Sequence, residues 1–294
     1  MRVLILGGSG QVGWELQRSL ASLGEVFVAP RAALDLCDPG SVGRIMGERR
    51  PDAVVNAAAY TAVDDAETHP QQADAINHRA VDMLARLAAS QGCWLVHYSS
   101  DYVFDGSGRD PFAETSPTGP LNEYGRSKLA GDEAIAASGC KHLILRTSWV
   151  HAPRGKNFVR SILKLARERD HLRVVSDQHG APTSAELIAD VTARALEQTM
   201  RNEAQSGTYH IAAAGETSWH GIARHVVTEA SRLGADLKLE PEAIEAIGSA
   251  DYPTPAVRPL NSRLQTKRLR DAFGLTLPDW QQGVGRTVAE LVAA

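Results

Sequence analysis

The chain has 294 residues with 31 basic and 35 acidic side chains, a formal net charge of −4. The signs are mixed along it rather than blocked, which argues against a nucleic-acid partner. Hydrophobic residues at 43%, with 25 Gly and 14 Pro, describe a globular protein with enough chain for one large domain or two lobes. Cys37, Cys93 and Cys140 form no CxxC pair, so neither a disulfide framework nor a thiolate zinc site is expected, and a reducing, cytoplasmic setting fits best. No apolar stretch approaches the roughly 20 residues of a membrane span, and the apolar run that starts at Val3 is too short for a signal peptide, so no membrane partner is expected.

In chain order, short apolar runs at residues 3–6, 25–29, 53–56, 94–98 and 142–146 read as strands. Between them, residues 12–23, 39–49, 73–90 and 124–137 carry apolar side chains at three- and four-residue spacing and read as helices. Repeated strand–helix units predict an α/β fold, a Rossmann-like doubly wound parallel sheet whose ligands sit outside the carboxyl ends of the strands. Beyond residue 150 the pattern gives a helix at 157–169, a loop at 176–183, a helix at 184–199 and a strand at 208–212. The expected division is a nucleotide-binding domain over residues 1–155, to which residues 184–213 return, and a smaller carboxyl-terminal substrate lobe over 156–294.

Gly7, Gly10 and Gly13 spell GxxGxxG between the first strand and the first helix, the place of a phosphate-binding turn. Glycine permits the tight turn and lets backbone amides approach a pyrophosphate, while the helix N-terminus favours the anion. After the second strand, where an NAD site usually carries an acid, Arg31 stands instead, and a guanidinium suits the 2′-phosphate of NADPH. A solvated arginine is the plainer alternative, and with Asp35 or Asp38 close behind to reach the ribose, NADH stays open.

Tyr124 and Lys128 are four residues apart in a predicted helix and therefore share a face. A lysine cation about 5 Å from a phenol of pKa about 10 would, at an effective dielectric of about 20, lower it by roughly two units, about 3 kcal/mol. Tyr124 would then supply a proton to an oxygen that becomes an alkoxide when hydride arrives at its carbon. Ser100, directly after the fourth strand, could bond the reacting oxygen; Asp101 would bond a substrate hydroxyl or merely cap the turn before Tyr102. Alone, the Tyr–Lys spacing is common on surface helices. The glycine turn upstream and Ser100 between them are what make it catalytic.

These residues resemble the extended short-chain dehydrogenase/reductase family. Within it the chain is similar to the dTDP-4-dehydrorhamnose reductases, through GGSGQVGWELQ (residues 7–17), VVNAAAYTAVDDAE (54–67), VHYSSDYVFDG (96–106) and YGRSKLAGDE (124–133). RTSWV (146–150), DQHGAPT (177–183) and YPTPAVRPLNSRL (252–264) extend the likeness over nearly the whole chain. The resemblance implies reduction of the 4-keto group of a nucleotide sugar, dTDP-4-dehydro-β-L-rhamnose, by a nicotinamide cofactor. It implies Tyr124 as proton donor, Lys128 on the nicotinamide ribose and Ser100 on the carbonyl. Gly10, Gln11 and Val12 would meet the pyrophosphate, Asp35 and Leu36 the adenine side, Ala59, Tyr60 and Thr61 the ribose side, and Tyr98 the cofactor. Trp149 would pack on the sugar nucleotide and Arg258 would clamp its diphosphate, a surface salt bridge being the alternative for the arginine. Some family members are Mg²⁺-linked homodimers; Glu15, Glu186 and Glu290 are the matching positions, which leaves a metal and a homodimer open. A nucleotide-sugar epimerase or dehydratase with retained NAD, and a catalytically silent NADP-binding subunit, are the competing readings.

Overall fold

The computed structural model describes residues 1–30 and 34–294. Its strands and helices run β1 (Arg2–Leu6), α1 (Gln11–Leu20), β2 (Glu25–Val28), α2 (Pro39–Arg49), β3 (Ala53–Asn56), α3 (Val63–Thr68), α4 (Pro70–Asp74), α5 (Ala80–Gln91), β4 (Trp94–Ser100), α6 (Glu123–Ala137) and β5 (His142–Thr147). There follow β6 (Val150–His151), α7 (Phe158–Glu168), β7 (Leu172–Val175), β8 (His179–Gly180), β9 (Thr183–Ser184), α8 (Ala185–Thr199), β10 (Gly207–Ile211), β11 (Thr217–Ser218), α9 (Trp219–Arg232), β12 (Ile244–Ile247), α10 (Lys267–Phe273) and α11 (Trp280–Ala293).

Six of these strands form one parallel sheet in the order β10-β5-β4-β3-β1-β2, so the fold is Rossmann-like. Side chains alternate across a strand, and both faces here are apolar. Val3, Ile5, Val55, Val96 and Leu145 pack with α1 and α8 on one face, and Leu4, Leu6, Val54, Leu95 and Ile144 pack with α2, α5 and α6 on the other. The order of strand addition reverses between β1 and β3, and the crevice outside their carboxyl ends is where such sheets bind ligands. Residues 188–196 of α8, Tyr209 of β10 and Leu269 and Phe273 of α10 join the first of these cores. A further core gathers α7, α9 and α11 around Ile162, Val226 and Val284.

The predicted helix at 73–90 is interrupted. Residues Ala75–Arg79 form a π-helical segment between α4 and α5. Asn77 in that segment has a wholly buried side chain committed outside the helix: Oδ1 accepts the Tyr60 N–H at 2.9 Å, while Nδ2 donates to the Tyr60 carbonyl and to Ser127 Oγ, each at 3.0 Å. The short pairs β6–β9, β7–β12 and β8–β11 lie in the stretch where the apolar pattern loosens, and the predicted loop at 176–183 contains one of their strands.

Candidate active site

The turn after β1 is built from backbone. Gly7 has φ +79°, and a Cβ there would stand 2.6 Å from the Ala58 nitrogen after β3; a Cβ on Gly13 would stand 2.1 Å from the Gly7 carbonyl oxygen. Neither position can carry a side chain. Gly10 is the N-cap of α1, which has no side-chain cap and no acid in its first turn, so its amides face outward unneutralised. Gln11 is tied across the entrance: its Oε1 accepts from Asn157 Nδ2 at 2.8 Å, and Asn157 also caps α7 through the Arg160 N–H. Beside it the Arg154 guanidinium stacks over the Trp14 ring at 3.8 Å. Val12 packs on the α1 side of the sheet.

Of the residues expected on the adenosine side, Arg31 lies outside the described residues. Asp35 is exposed and accepts the Cys37 N–H, Leu36 packs on the core beneath α2, and Asp38 is committed to capping α2. Ala59, Tyr60 and Thr61 follow β3 along the same edge, Tyr60 being fixed by Asn77. The Tyr98 hydroxyl, by contrast, turns towards α8 and shares a 2.8 Å hydrogen bond with Thr192, so only its carbonyl serves the site edge.

Ser100 ends β4. Its hydroxyl donates to Asp101 Oδ1 and accepts from the Tyr102 N–H, both at 3.1 Å, and the Tyr124 side chain lies beside it. Tyr124 sits in the first turn of α6, whose N-cap Asn122 accepts from the Gly125 N–H at 2.8 Å and donates to the Val257 carbonyl, also at 2.8 Å. Its ring meets Tyr102 edge-on at 5.6 Å. Burial pushes the Tyr124 phenol up to about 12, with the neighbouring Ser100 hydroxyl acting in the other direction. The lowering by Lys128 expected from helical spacing does not occur. Lys128 is on the shared helix face but turns its Nζ to the Tyr98 carbonyl at 2.6 Å and to His97 Nε2 at 3.2 Å. Burial in turn brings Lys128 down to about 8, opposed by Asp132. Asp101 is buried too, and desolvation raises its carboxyl to about 7 against the hydroxyls of Ser262 and Ser100.

Next to Tyr102 opens a cavity of about 740 Å³, lined among others by Asp64, Phe158, Gln178, Trp219, Tyr252 and Arg258. Arg258 donates to Asp64 Oδ2 at 2.7 Å, while its Nη1 is buried without a protein partner. Trp149 stacks on Trp219 at 4.1 Å with the strained φ of +49° and borders the smaller cavity behind it rather than the large one. The structure therefore brings Ser100, Asp101, Tyr124 and Lys128 together at one edge and sets Arg258 across the cavity. Asn56, Asn77, His97 and Asp64 are the site-edge residues that the sequence reading passed over. Polar Asn56 and His97 inside otherwise apolar strands were the available signal.

Glu15, Glu186 and Glu290 do not assemble. Glu186 receives Arg286 at 3.1 Å, Glu15 receives Arg18 at 3.5 Å and Glu290 is exposed. Among the described residues of one chain no three His, Cys, Asp or Glu side chains are placed to hold a metal ion. No helix among the described residues is long and apolar enough to cross a membrane.

A parallel Rossmann sheet with a glycine turn, and a serine, tyrosine and lysine at its carboxyl edge, define an oxidoreductase of the extended short-chain dehydrogenase/reductase class. The family model described as RmlD substrate binding domain matches residues 1–293, and the chain belongs to that family. It is 48% identical to the dTDP-4-dehydrorhamnose reductase of Shigella flexneri over 99% of this chain and 98% of that one. Among solved structures, the dTDP-4-dehydrorhamnose reductase of Clostridium acetobutylicum superposes with a TM-score of 0.89 at 32% identity, over 99% of each chain. That of Bacillus anthracis, in complex with NADP, gives 0.88 at 31% identity, over 98% of this chain and 99% of the other.

Proposed function

We propose that the chain uses NADPH to reduce the C4 keto group of dTDP-4-dehydro-β-L-rhamnose to dTDP-L-rhamnose, in the cytoplasm, as the last step in making that sugar donor for cell-surface polysaccharide. The observation that carries the reading is that Ser100 and the Tyr124 phenol come together at the carboxyl edge of the sheet, beside an uncapped helix N-terminus, in a chain 48% identical to a named reductase.

The turn fits a dinucleotide. The first amides of α1, at Gln11 and Val12, suit a pyrophosphate, the Gly10 N–H being used on the Gly7 carbonyl to close the turn, and the absence of a Cβ on Gly7 and Gly13 is what lets backbone lie close to it. Leu36 and Asp35 would hold the adenine side and Ala59, Tyr60 and Thr61 the ribose side. A nicotinamide held there would supply the hydride. Tyr124, kept protonated by burial, gives its phenolic proton to the C4 oxygen; Ser100 holds that oxygen in line. Lys128, one turn further along α6 and seated on the Tyr98 carbonyl, would hold the nicotinamide ribose. Asp101 takes a sugar hydroxyl, Trp149 backs the aromatic wall, and Arg258, on the lining of the large cavity, takes the diphosphate.

The test is NADPH absorbance on addition of dTDP-4-dehydrorhamnose, generated in place, with Tyr124→Phe alongside. Rapid oxidation in the parent and almost none in the variant is expected. Oxidation undiminished in Tyr124→Phe would remove the assigned donor, and tightly held NAD in the purified protein would point to an epimerase or dehydratase.

A further inference from the structure

Behind the catalytic edge lies a buried polar chain that the reduction as proposed leaves without a task. His97, 1% exposed, sits in β4 between Asn56 of β3 and Lys128 of α6. Asn56 Nδ2 lies 3.2 Å from His97 Nδ1, and Lys128 Nζ lies 3.2 Å from His97 Nε2. The orientation of the Asn56 amide is fixed from its other end, where Oδ1 accepts the Ala58 N–H at 3.2 Å. Turning the amide over would set one N–H against another and leave the Ala58 donor without an acceptor. Asn56 therefore donates to Nδ1. Burial and the neighbouring lysine hold the imidazole well below its usual pKa, so it is neutral and carries a single hydrogen. With Nδ1 accepting, that hydrogen is on Nε2, facing Lys128.

We propose that His97, its tautomer set by Asn56, is a positioning residue for Lys128, presenting an N–H rather than a lone pair to Nζ and so favouring the uncharged amine over the ammonium. The inference rests on the reductase reading for its catalytic meaning: Lys128 becomes a group that titrates in the working range of pH rather than a fixed cation. Nζ remains seated by donating to the Tyr98 carbonyl. The charged group acting on Lys128 is Asp132 of α6, with Arg146 of β5 behind it, while the Tyr98 hydroxyl of β4 points away to Thr192. Asp132 is itself held by Ser99 Oγ and Arg146 Nε, each at 2.9 Å, and so is a partly neutralised anion. Asn56, from β3, adds no charge.

Asn56→Asp tests this directly. The aspartate keeps an oxygen for the Ala58 N–H but replaces the amide donor with an acceptor, so His97 should move its hydrogen to Nδ1 and turn a lone pair towards Lys128. In the full-length protein labelled with ¹⁵N-histidine, without cofactor, the ring nitrogens of His97 are expected to report Nε2–H in the parent and Nδ1–H in the variant. The ¹³Cε titration of Lys128, and with it the alkaline limb of kcat/KM, should move up by about one pH unit or more. A through-space effect of the added carboxylate is separated by a double-mutant cycle. With His97→Phe as background, the same aspartate should shift Lys128 by less than half as much. Nδ1–H in the parent overturns the proposal, and so does an equal Lys128 shift with and without His97. The parent spectrum decides the tautomer even if Asn56→Asp folds poorly. Absence of turnover on any nucleotide sugar would count against the reductase reading and leave the ring-nitrogen result standing.

Discussion

The carboxyl edge of the sheet and the cavity beside it solve the binding problem in opposite ways. At the edge, each functional group is fixed by the strand or helix that carries it: Gly7 follows β1, Ser100 ends β4, and Lys128 is anchored to the Tyr98 carbonyl of the neighbouring strand. In the cavity the wall is assembled from segments far apart in sequence, and Arg258 is placed by Asp64, 194 positions away. Regular structure delivers chemistry to a fixed point, whereas long-range pairing shapes a surface that can change without disturbing that point.

The largest expected effect separates the two by kinetics. Tyr124→Phe should lower kcat by roughly 10²–10⁴-fold with KM little changed, because a proton given only in the transition state is lost. Arg258→Ala should instead raise KM for the nucleotide sugar roughly 10–100-fold and spare kcat, the loss of a charge-assisted contact made in both states. Steady-state kinetics on both variants would break the comparison if the two patterns came out alike.

Asp101 belongs to the edge and carries a cost that pH reveals. Its carboxyl is raised from 3.8 to about 7, so between those values the folded state keeps a proton that the unfolded chain releases. The stability it contributes is complete below about pH 4 and is lost as the pH rises through 7. Asp101→Asn should therefore be more stable than the parent at pH 8 by up to about 4 kcal/mol, three units at about 1.4 kcal/mol each, and nearly equal to it at pH 4. Urea unfolding at the two pH values measures the difference.

The smallest effect concerns the link between the regions. Asn157→Ala removes the α7 cap and the tie to Gln11, and should cost about 1 kcal/mol in unfolding free energy, with a two- to fivefold rise in KM for NADPH if the tie steadies the glycine turn. Thermal melts and cofactor titrations check the two parts separately.

What could be read from the sequence divides along the same line. Strand ends are legible because apolar runs bounded by glycine or polar residues mark them, and β3 ends at Asn56 as its pattern indicates. The helical spacing of Tyr124 and Lys128 is equally plain, yet it misled about their coupling: periodicity places two Cβ atoms on one face but does not choose the lysine rotamer, and the Tyr98 carbonyl and His97 won that choice. The pairing of Asp64 with Arg258 has no local signal at all. Glu15, Glu186 and Glu290, named only from the family resemblance, likewise carry no local signal, and neighbouring arginines take up two of the three carboxylates.

The π segment at Ala75–Arg79 makes chain length, rather than residue identity alone, a determinant of the site. Such a segment accommodates one more residue per turn than an α-helix, and each residue of an α-helix advances the side-chain direction by about 100°. Deleting a single residue there, even an alanine with no polar atom, would let the helix close into regular form. Asn77 would rotate off Tyr60 and Ser127, and the loop after β3 would lose its lock while every side chain that touches it was still encoded.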